Sequence, residues 1–477
     1  MKIFIDSNSK DSLTDQIVNV IKDQIDKRMM RTGMRLPSIR KFALDHRVSR
    51  FTVVQAYDRL VAMAYLNSRR GSGFYVAPRH RTPSARQSVY KLDRAIDVLW
   101  LLRNSLQGKS SFAMPGDGWL PGSWLDEAGI KRSLRTLSGR AGEFLTAYGT
   151  PEGYLPLREV LQHRLSEIGV RSTPAQIVLT KGATHALDLL ARYFIRPGDH
   201  VLVDDPGHFI LFGALKSLGA NIVGVSWGLE GPDTTMLEAM IREHRPKMYF
   251  TNTVLHNPTG ASISQAVAYR VLKLAERFNL LIVEDDIYGD FHPSVMTRLA
   301  TLDQLERVIY IGSFSKTISA SLRVGFLACK ESIAENITDL KLLTGFTTSE
   351  IGERIVYQLL IDGYYRKHLD KLRGRLQIAR EKAVCTLEKI GFVPYLEPEG
   401  GVFVWAKLPD MVDTADIANI ASAQGVTLAP GRLFSPQQGP SPWFRFNVAS
   451  FEDSLSSEIF SKIVLNLSHR PIQNEPK

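Results

Sequence analysis

The chain has 477 residues, 44% hydrophobic and 23% charged, the profile of a folded protein too long for one domain core. No apolar run approaches the roughly 20 residues that cross a bilayer, the start MKIFIDSNSKDS lacks a signal-peptide pattern, and Cys329 and Cys385 alone can build neither a disulfide framework nor a metal site. The expectation is a cytoplasmic protein with no membrane anchor and no metal. Net charge is +10, and residues 1–90 carry all of it, with 17 Lys and Arg against 7 Asp and Glu; residues 91–477 hold 42 of each. Such asymmetry predicts a polyanion partner for the first fifth of the chain.

In chain order, Leu13, Ile17, Val20, Ile21 and Ile25 recur at helical spacing, with Asp11 or Ser12 placed to cap the start. GMRLPSIRKFALDHRVSRFTVVQAYDRLVAMAYL then predicts two short helices. The first has Pro37 at its first position and runs to about Asp45. His46 to Val48 form the turn, and Ser49 caps a second helix from Arg50 to about Met63. On that helix Val53, Tyr57, Leu60, Val61 and Ala64 share one face, leaving Arg50, Phe51, Thr52 and Gln55 to face elsewhere. YLNSRRGSGFYVAP predicts two short strands around a basic, glycine-rich tip. Residues 1–78 thus form a unit, and the Arg-, Ser- and Pro-rich residues 79–94 a linker.

From 95 to 477, QIVLT, HVLVDD, KMYFTN, LLIVED and RVIYIG alternate with helical stretches such as THALDLLARYF. This predicts an α/β domain, a mostly parallel sheet flanked by helices over about 110–350. From about 351 to 467, long helices and few strands predict a smaller α+β part.

In a helix-turn-helix the second helix enters the major groove and its first residues reach base edges. Ser49, Arg50 and Thr52 hold those positions, and Arg50 can donate two hydrogen bonds to guanine. Arg35, Arg40, Arg69 and Arg70 are available for phosphates or a minor groove. RLPSIRKFA, VSRFTVVQAYDRL and RRGSGFYV resemble, in order and spacing, the winged helix-turn-helix of the GntR family of bacterial regulators. The resemblance implies double-stranded operator DNA as a partner, contacts at Arg40, Ser49, Arg50 and Thr52, and wing contacts from Arg70 through Gly71 to Gly73.

The stretch SFSKTISASLRVG sets Lys316 among hydroxyls, with Arg323 seven residues on. Pyridoxal phosphate needs an amine, a carboxylate for its ring nitrogen, donors for its 3-oxygen and anchors for its phosphate. Lys316 offers the amine, and Asp285, at the end of LIVED, the carboxylate. Asn257 in HNPTG and Tyr288 offer donors; Ser313, Ser315, Arg323 and the helix start at Gly182, Ala183 and Thr184 offer anchors. All lie at the ends of predicted strands, where open parallel sheets bind ligands.

Residues from about 110 to 465 resemble the fold-type I aminotransferases, in the fusion to a GntR-like head that defines the MocR subfamily of regulators. The resemblance implies a Schiff base at Lys316, Asp285 on the ring nitrogen, Asn257 and Tyr288 on the 3-oxygen, and Gly182, Ala183, Thr184, Ser313 and Arg323 on the phosphate. Tyr148 would reach the phosphate of a neighbouring subunit's cofactor, which implies a homodimer, and Arg445 would grip an effector carboxylate. The ring-stacking position falls on His208, with Phe209 adjacent. The expected protein is a transcriptional regulator sensing an amino compound or the cofactor itself. The alternative is an active aminotransferase with a DNA-binding head, which the intact NPTG leaves open.

Overall fold

The structure is a computed structural model that describes residues 11–27, 29–69, 72–78, 114–139, 142–409 and 413–451. The chain divides into two compact units, Met1–Asp93 and Arg94–Lys477.

In the first unit, α1 (Leu13–Asp26) starts at Ser12, whose hydroxyl accepts the Asp15 amide, so Ser12 rather than Asp11 is the cap. Helix α2 (Ile39–His46) is capped by Ser38, whose Oγ accepts the Lys41 amide at 3.3 Å. Pro37 therefore precedes the cap instead of opening the helix. Helix α3 (Arg50–Ala62) follows the left-handed residue Arg47 and its cap Ser49. Ile17, Ile21, Phe42, Val53, Tyr57 and Leu60 close one core, each side chain contributing about 1.5–3 kcal/mol of burial. Tyr57 keeps its hydroxyl satisfied by donating to the Pro37 carbonyl at 3.1 Å. Ala64, expected on this face, is exposed, because the helix ends at Ala62 and Ala64 takes a φ of 58°. Strands β1 (Leu66–Arg69) and β2 (Gly73–Val76) pair antiparallel, and Arg35 bridges to Tyr75 on the far side of β2. Three helices and this wing make a winged helix-turn-helix.

The second unit is built on an eight-stranded sheet. Its strands are β3 (Ile177–Thr180), β4 (His200–Asp205), β5 (Asn221–Gly228), β6 (Gly231–Pro232), β7 (Met248–Thr251), β8 (Leu281–Asp285), β9 (Val308–Ser313) and β10 (Gly325–Ala328), in the order β3-β10-β9-β8-β7-β4-β5-β6. Successive residues feed two cores: Val203, Phe250, Val283 and Ile309 pack on one face, Leu202, Tyr249, Ile282 and Val308 on the other. Both faces are covered by helices, hence the unbroken apolar runs. The pairings among β5, β4, β7, β8 and β9 are parallel. Strand β10 runs antiparallel between β9 and β3. Its four residues, GFLA, carry no periodicity that marks a strand.

Two of the helices matter below. Helix α4 (Ala183–Phe194) follows β3, and α5 (Tyr364–Lys389) leads into an antiparallel sheet of β11 (Val393–Pro394), β12 (Phe403–Lys407), β14 (Trp443–Asn447) and β13 (Ala429–Pro430) in that order. Among the described residues, no helix is long and apolar enough to cross a membrane.

Candidate cofactor and DNA sites

The parallel strands deliver their carboxyl ends to one edge of the sheet, and the candidate residues follow those ends. Asp285 closes β8; Asn257 follows β7; His208 follows β4; Ser313 closes β9, and Ser315 and Lys316 follow it. Gly182 follows β3 and starts α4.

One cavity is lined by Lys316, Arg445, Asn257, Tyr288, His208, Phe209, Ile210 and the loop Gly116–Trp119. A second cavity shares His208 and Asn257 with it and reaches Asp285. Lys316 Nζ donates to the Gly118 carbonyl at 2.5 Å. Burial, and then the neighbouring Arg445, pull the lysine down to about 8, against the attraction of Asp285. Asp285 is pushed up to about 7, first by burial, with relief from the Ile287 amide and opposition from Asp286. Its Oδ1 is buried without a hydrogen bond, and its Oδ2 lies 3.9 Å from His208 Nδ1. His208 is itself held neutral, pulled down to about 3 by burial and by the cations Lys316 and Arg445. Tyr288 is buried, which raises its phenol, and it packs edge-on against Phe403.

Arg445, in β14, is 2% exposed. Its guanidinium donates to Asn257 Oδ1 at 3.0 Å and to the Gly116 carbonyl at 2.8 Å, and lies 4.2 Å from the Phe403 ring centroid. Its Nε makes no hydrogen bond. Burial pulls it down to about 10, which leaves it charged at neutral pH.

A second group of residues forms an anion cradle. Gly182 has a φ of 79°, and a Cβ there would lie 3.0 Å from Arg323 Nη2. Gly325 approaches the Gly182 backbone so closely that a Cβ would sit at 2.8 Å. Arg323 is anchored on the Lys181 carbonyl at 2.9 Å, and Ser313 Oγ meets Ser315 Oγ at 3.1 Å. Ala183 and Thr184 open α4, whose first amides have no partner within the helix. Glycines without side chains, helix amides, hydroxyls and an arginine together suit a phosphate.

Pyridoxal phosphate fits these residues. A protonated ring nitrogen matches the unpartnered Asp285 Oδ1, the cradle matches the phosphate, and Lys316 feels the charges of both Asp285 and Arg323. His208 lines both cavities, whereas Phe209 lines only the one with Arg445. Tyr148 is not brought into either. It is 79% exposed and packs on Phe346, ring centroids 5.3 Å apart.

Sequence reasoning missed the supports. Asn252, just past β7, donates to the Asp285 carbonyl at 2.6 Å and accepts the Asn257 amide at 2.7 Å, so it joins two site residues. Asp204 accepts from Tyr249 Oη at 2.5 Å and from the Asn252 amide at 2.9 Å. His256 stacks on Trp227 with centroids 4.2 Å apart, its Nε2 3.4 Å from Asp204. The loop Gly116–Trp119 was also missed, although PGDG reads as a turn.

In the first unit Arg35, Arg40, Ser49, Arg50 and Arg69 are exposed and Thr52 partly so. Arg69 lies 4.7 Å over the Tyr75 ring, on the wing. Ser49 Oγ accepts the Thr52 amide at 3.0 Å and lies 2.7 Å from Thr52 Oγ1, so both hydroxyls are engaged in the cap. Phe51 is 70% exposed beside Arg50 at the start of α3. Arg70 and Gly71 lie outside the described residues.

Comparison with known proteins agrees with both units. The family described as "Aminotransferase class I and II" matches residues 127–463, and "Bacterial regulatory proteins, gntR family" matches 13–76. The chain is 28% identical to the uncharacterized HTH-type transcriptional regulator YdfD of Bacillus subtilis, over 92% of this chain and 93% of that one. A kynurenine aminotransferase of Pyrococcus horikoshii, solved in complex with PMP, is 24% identical and superposes with a TM-score of 0.73, covering 82% of this chain and 99% of that one; this likeness concerns the fold. LysN, an α-aminoadipate aminotransferase of Thermus thermophilus solved with N-(5'-phosphopyridoxyl)-L-leucine, is 26% identical with a TM-score of 0.69, over 77% of this chain and 95% of that one. The chain belongs to the aminotransferase class I and II family and carries a gntR-type regulatory domain at its head, the combination found in MocR-type regulators.

Proposed function

We propose that this protein is a transcriptional regulator whose second unit binds pyridoxal phosphate at Lys316 and senses a carboxylate-bearing amino compound, while its first unit binds operator DNA. One observation carries the reading: Lys316 and Arg445 line a single buried cavity, and the cavity beside it reaches Asp285, whose Oδ1 is unpartnered. When bound, pyridoxal phosphate supplies an aldehyde that captures primary amines and a ring that withdraws electrons.

The chain's own residues do the rest. Asp285 holds the ring nitrogen protonated, since a buried carboxylate with a free oxygen gains from a cation beside it. Asn257 and Tyr288 face the 3-oxygen, His208 the ring, and Gly182, Ala183, Thr184, Ser313, Ser315 and Arg323 the phosphate. Tyr148, exposed in one chain, would serve the site of a second copy, in a homodimer. Arg445 offers a planar pair of donors to the carboxylate of the effector, in a pocket where burial strengthens the bond. Lys316, pulled down to about 8, can take and release a proton close to neutral pH. The effector changes DNA binding through a difference in its affinity for two arrangements of the protein.

A second reading, turnover as an aminotransferase, is supported by the retained Asn257 and by the same lysine. The test has two parts. Protein supplied with pyridoxal phosphate should be yellow, its absorbance should shift with amines, and Lys316→Ala should abolish the borohydride-reducible attachment; attachment at another lysine overturns the assignment. A promoter footprint that changes with an added amino acid supports sensing. Steady transamination at roughly 1–10³ per second with an unchanged footprint favours the enzyme.

A further inference from the structure

The side chains that open α3 divide between two tasks. Ser49 Oγ accepts the Thr52 amide at 3.0 Å and lies 2.7 Å from Thr52 Oγ1, so both hydroxyls serve the cap. Val53, Ala56, Tyr57 and Leu60, all fully buried, fill the core from the opposite face of the helix. Arg50 and Phe51 are left facing solvent, and Phe51 is 70% exposed.

A single exposed apolar side chain is ordinary on a protein surface. The place of this one is not. Helix starts favour acids, yet α3 has none in its first turn, and the chain carries none from His46 to Tyr57. Arg47 and Arg50, both exposed, stand on the chain just ahead of the ring. Cations without acids around a helix start suit a polyanion. In a helix-turn-helix this turn enters the major groove. The apolar group that a base edge presents there is the thymine 5-methyl, on which a phenylalanine ring can pack.

We propose that Phe51 reads thymine, its ring packing on the 5-methyl of a thymine in the operator close to the base that Arg50 contacts. The inference rests on the DNA-binding role proposed for the first unit and gives that role a second kind of readout. Arg50 addresses a base through hydrogen bonds, Phe51 through burial of a methyl group. Operators are selected from random duplexes by the full chain, and each thymine in them is then replaced singly by deoxyuridine, which pairs identically and lacks only the methyl. The wild-type protein should lose roughly fourfold in affinity at one thymine per bound head. Phe51→Ala should bind the thymine and deoxyuridine duplexes equally. Phe51→Leu, which keeps an apolar group, should retain part of the difference. Non-specific binding, carried by the arginines, should be the same in all three proteins. If the wild-type protein depends on no thymine methyl, or if Phe51→Ala depends on it equally, the inference is overturned while base reading by Arg50 stands. A Phe51→Ala variant that alters the protein's state of association and leaves methyl dependence intact assigns the ring to a protein contact instead. If the full chain selects no sequence at all, the operator-binding reading fails, and the inference with it.

Discussion

The two units present cationic groups in opposite ways. In the first, Arg35, Arg40, Arg50 and Arg69 stand in solvent around a small core, each ready to meet a surface as large as itself. In the second, Lys316 and Arg445 are drawn into a cavity where burial has pulled both below their ordinary values. A polyanion with a regular backbone is met by exposed charge, whose reach is long and screened by salt. In the proposed function, a small molecule with one amine and one carboxylate is met by few charges made strong and selective by desolvation. Net charge betrays the first strategy and is silent about the second.

Salt should separate them most clearly. If Arg35, Arg40 and Arg69 each neutralise one phosphate, DNA affinity per head should fall roughly fortyfold between 50 and 200 mM salt, at a slope of about 0.9 per phosphate. Retention of pyridoxal phosphate over the same range should change less than about twofold, because buried charges are little screened. Filter binding and absorbance measure the two on one preparation. Parallel salt curves would break the contrast.

Within the head, Arg50→Ala should lose about 1–3 kcal/mol of discrimination between operator and mismatched DNA while leaving non-specific binding nearly intact. The exposed Phe51 beside it is the first candidate if operator preference survives.

Within the body, pH provides the next test. A neutral amine captures an aldehyde and an ammonium does not. With Lys316 pulled down to about 8, its neutral form grows roughly tenfold from pH 7 to pH 9 and then saturates. The rate at which added pyridoxal phosphate attaches to cofactor-free protein should follow that curve. A rate still climbing steeply beyond pH 10 would mean that the lysine is not desolvated. The same depression acts on stability with a definite sign. The unfolded chain binds the lysine's proton up to about 10.5 and the folded chain only to about 8, so this residue's contribution to stability rises with pH between those values.

How much of this was legible in sequence depended on distance along the chain. The head's helices, turn and wing follow from periods and caps within about 70 residues; Pro37 and Ala64 took other places, the first just ahead of the cap of α2 and the second just past the end of α3. Asp285, Asn257, His208 and Lys316 were legible because apolar runs mark their strands and the site residues stand where those runs stop. Strand β10 was not, since its direction is set by β9 and β3 and not by its own four residues. Asn252 and Asp204 were missed because a buried amide and a buried acid show their purpose only once Asp285 and Asn257 are seen on either side. The loop Gly116–Trp119 meets Arg445 across more than 300 positions, a contact that no local pattern encodes.

The smallest effect concerns Ser49, to which the sequence reading assigns both the cap of α3 and a base contact, and whose hydroxyl the geometry commits to the cap. The sequence places it among the groups that reach base edges. In the structure its oxygen accepts the Thr52 amide and pairs with the Thr52 hydroxyl, which closes the first turn of α3. A cap of this kind is worth about 1 kcal/mol. Ser49→Ala should therefore speed amide exchange through the first turns of α3 by roughly fivefold, and weaken operator binding only as far as that fraying does. Ser49→Asp keeps the cap and the exchange protection but sets a negative charge where phosphates approach, so it should lose DNA affinity with α3 intact. An alanine variant that frays no more than the parent and yet misreads its operator would return Ser49 to the base-reading group and leave the cap to Thr52 and the backbone.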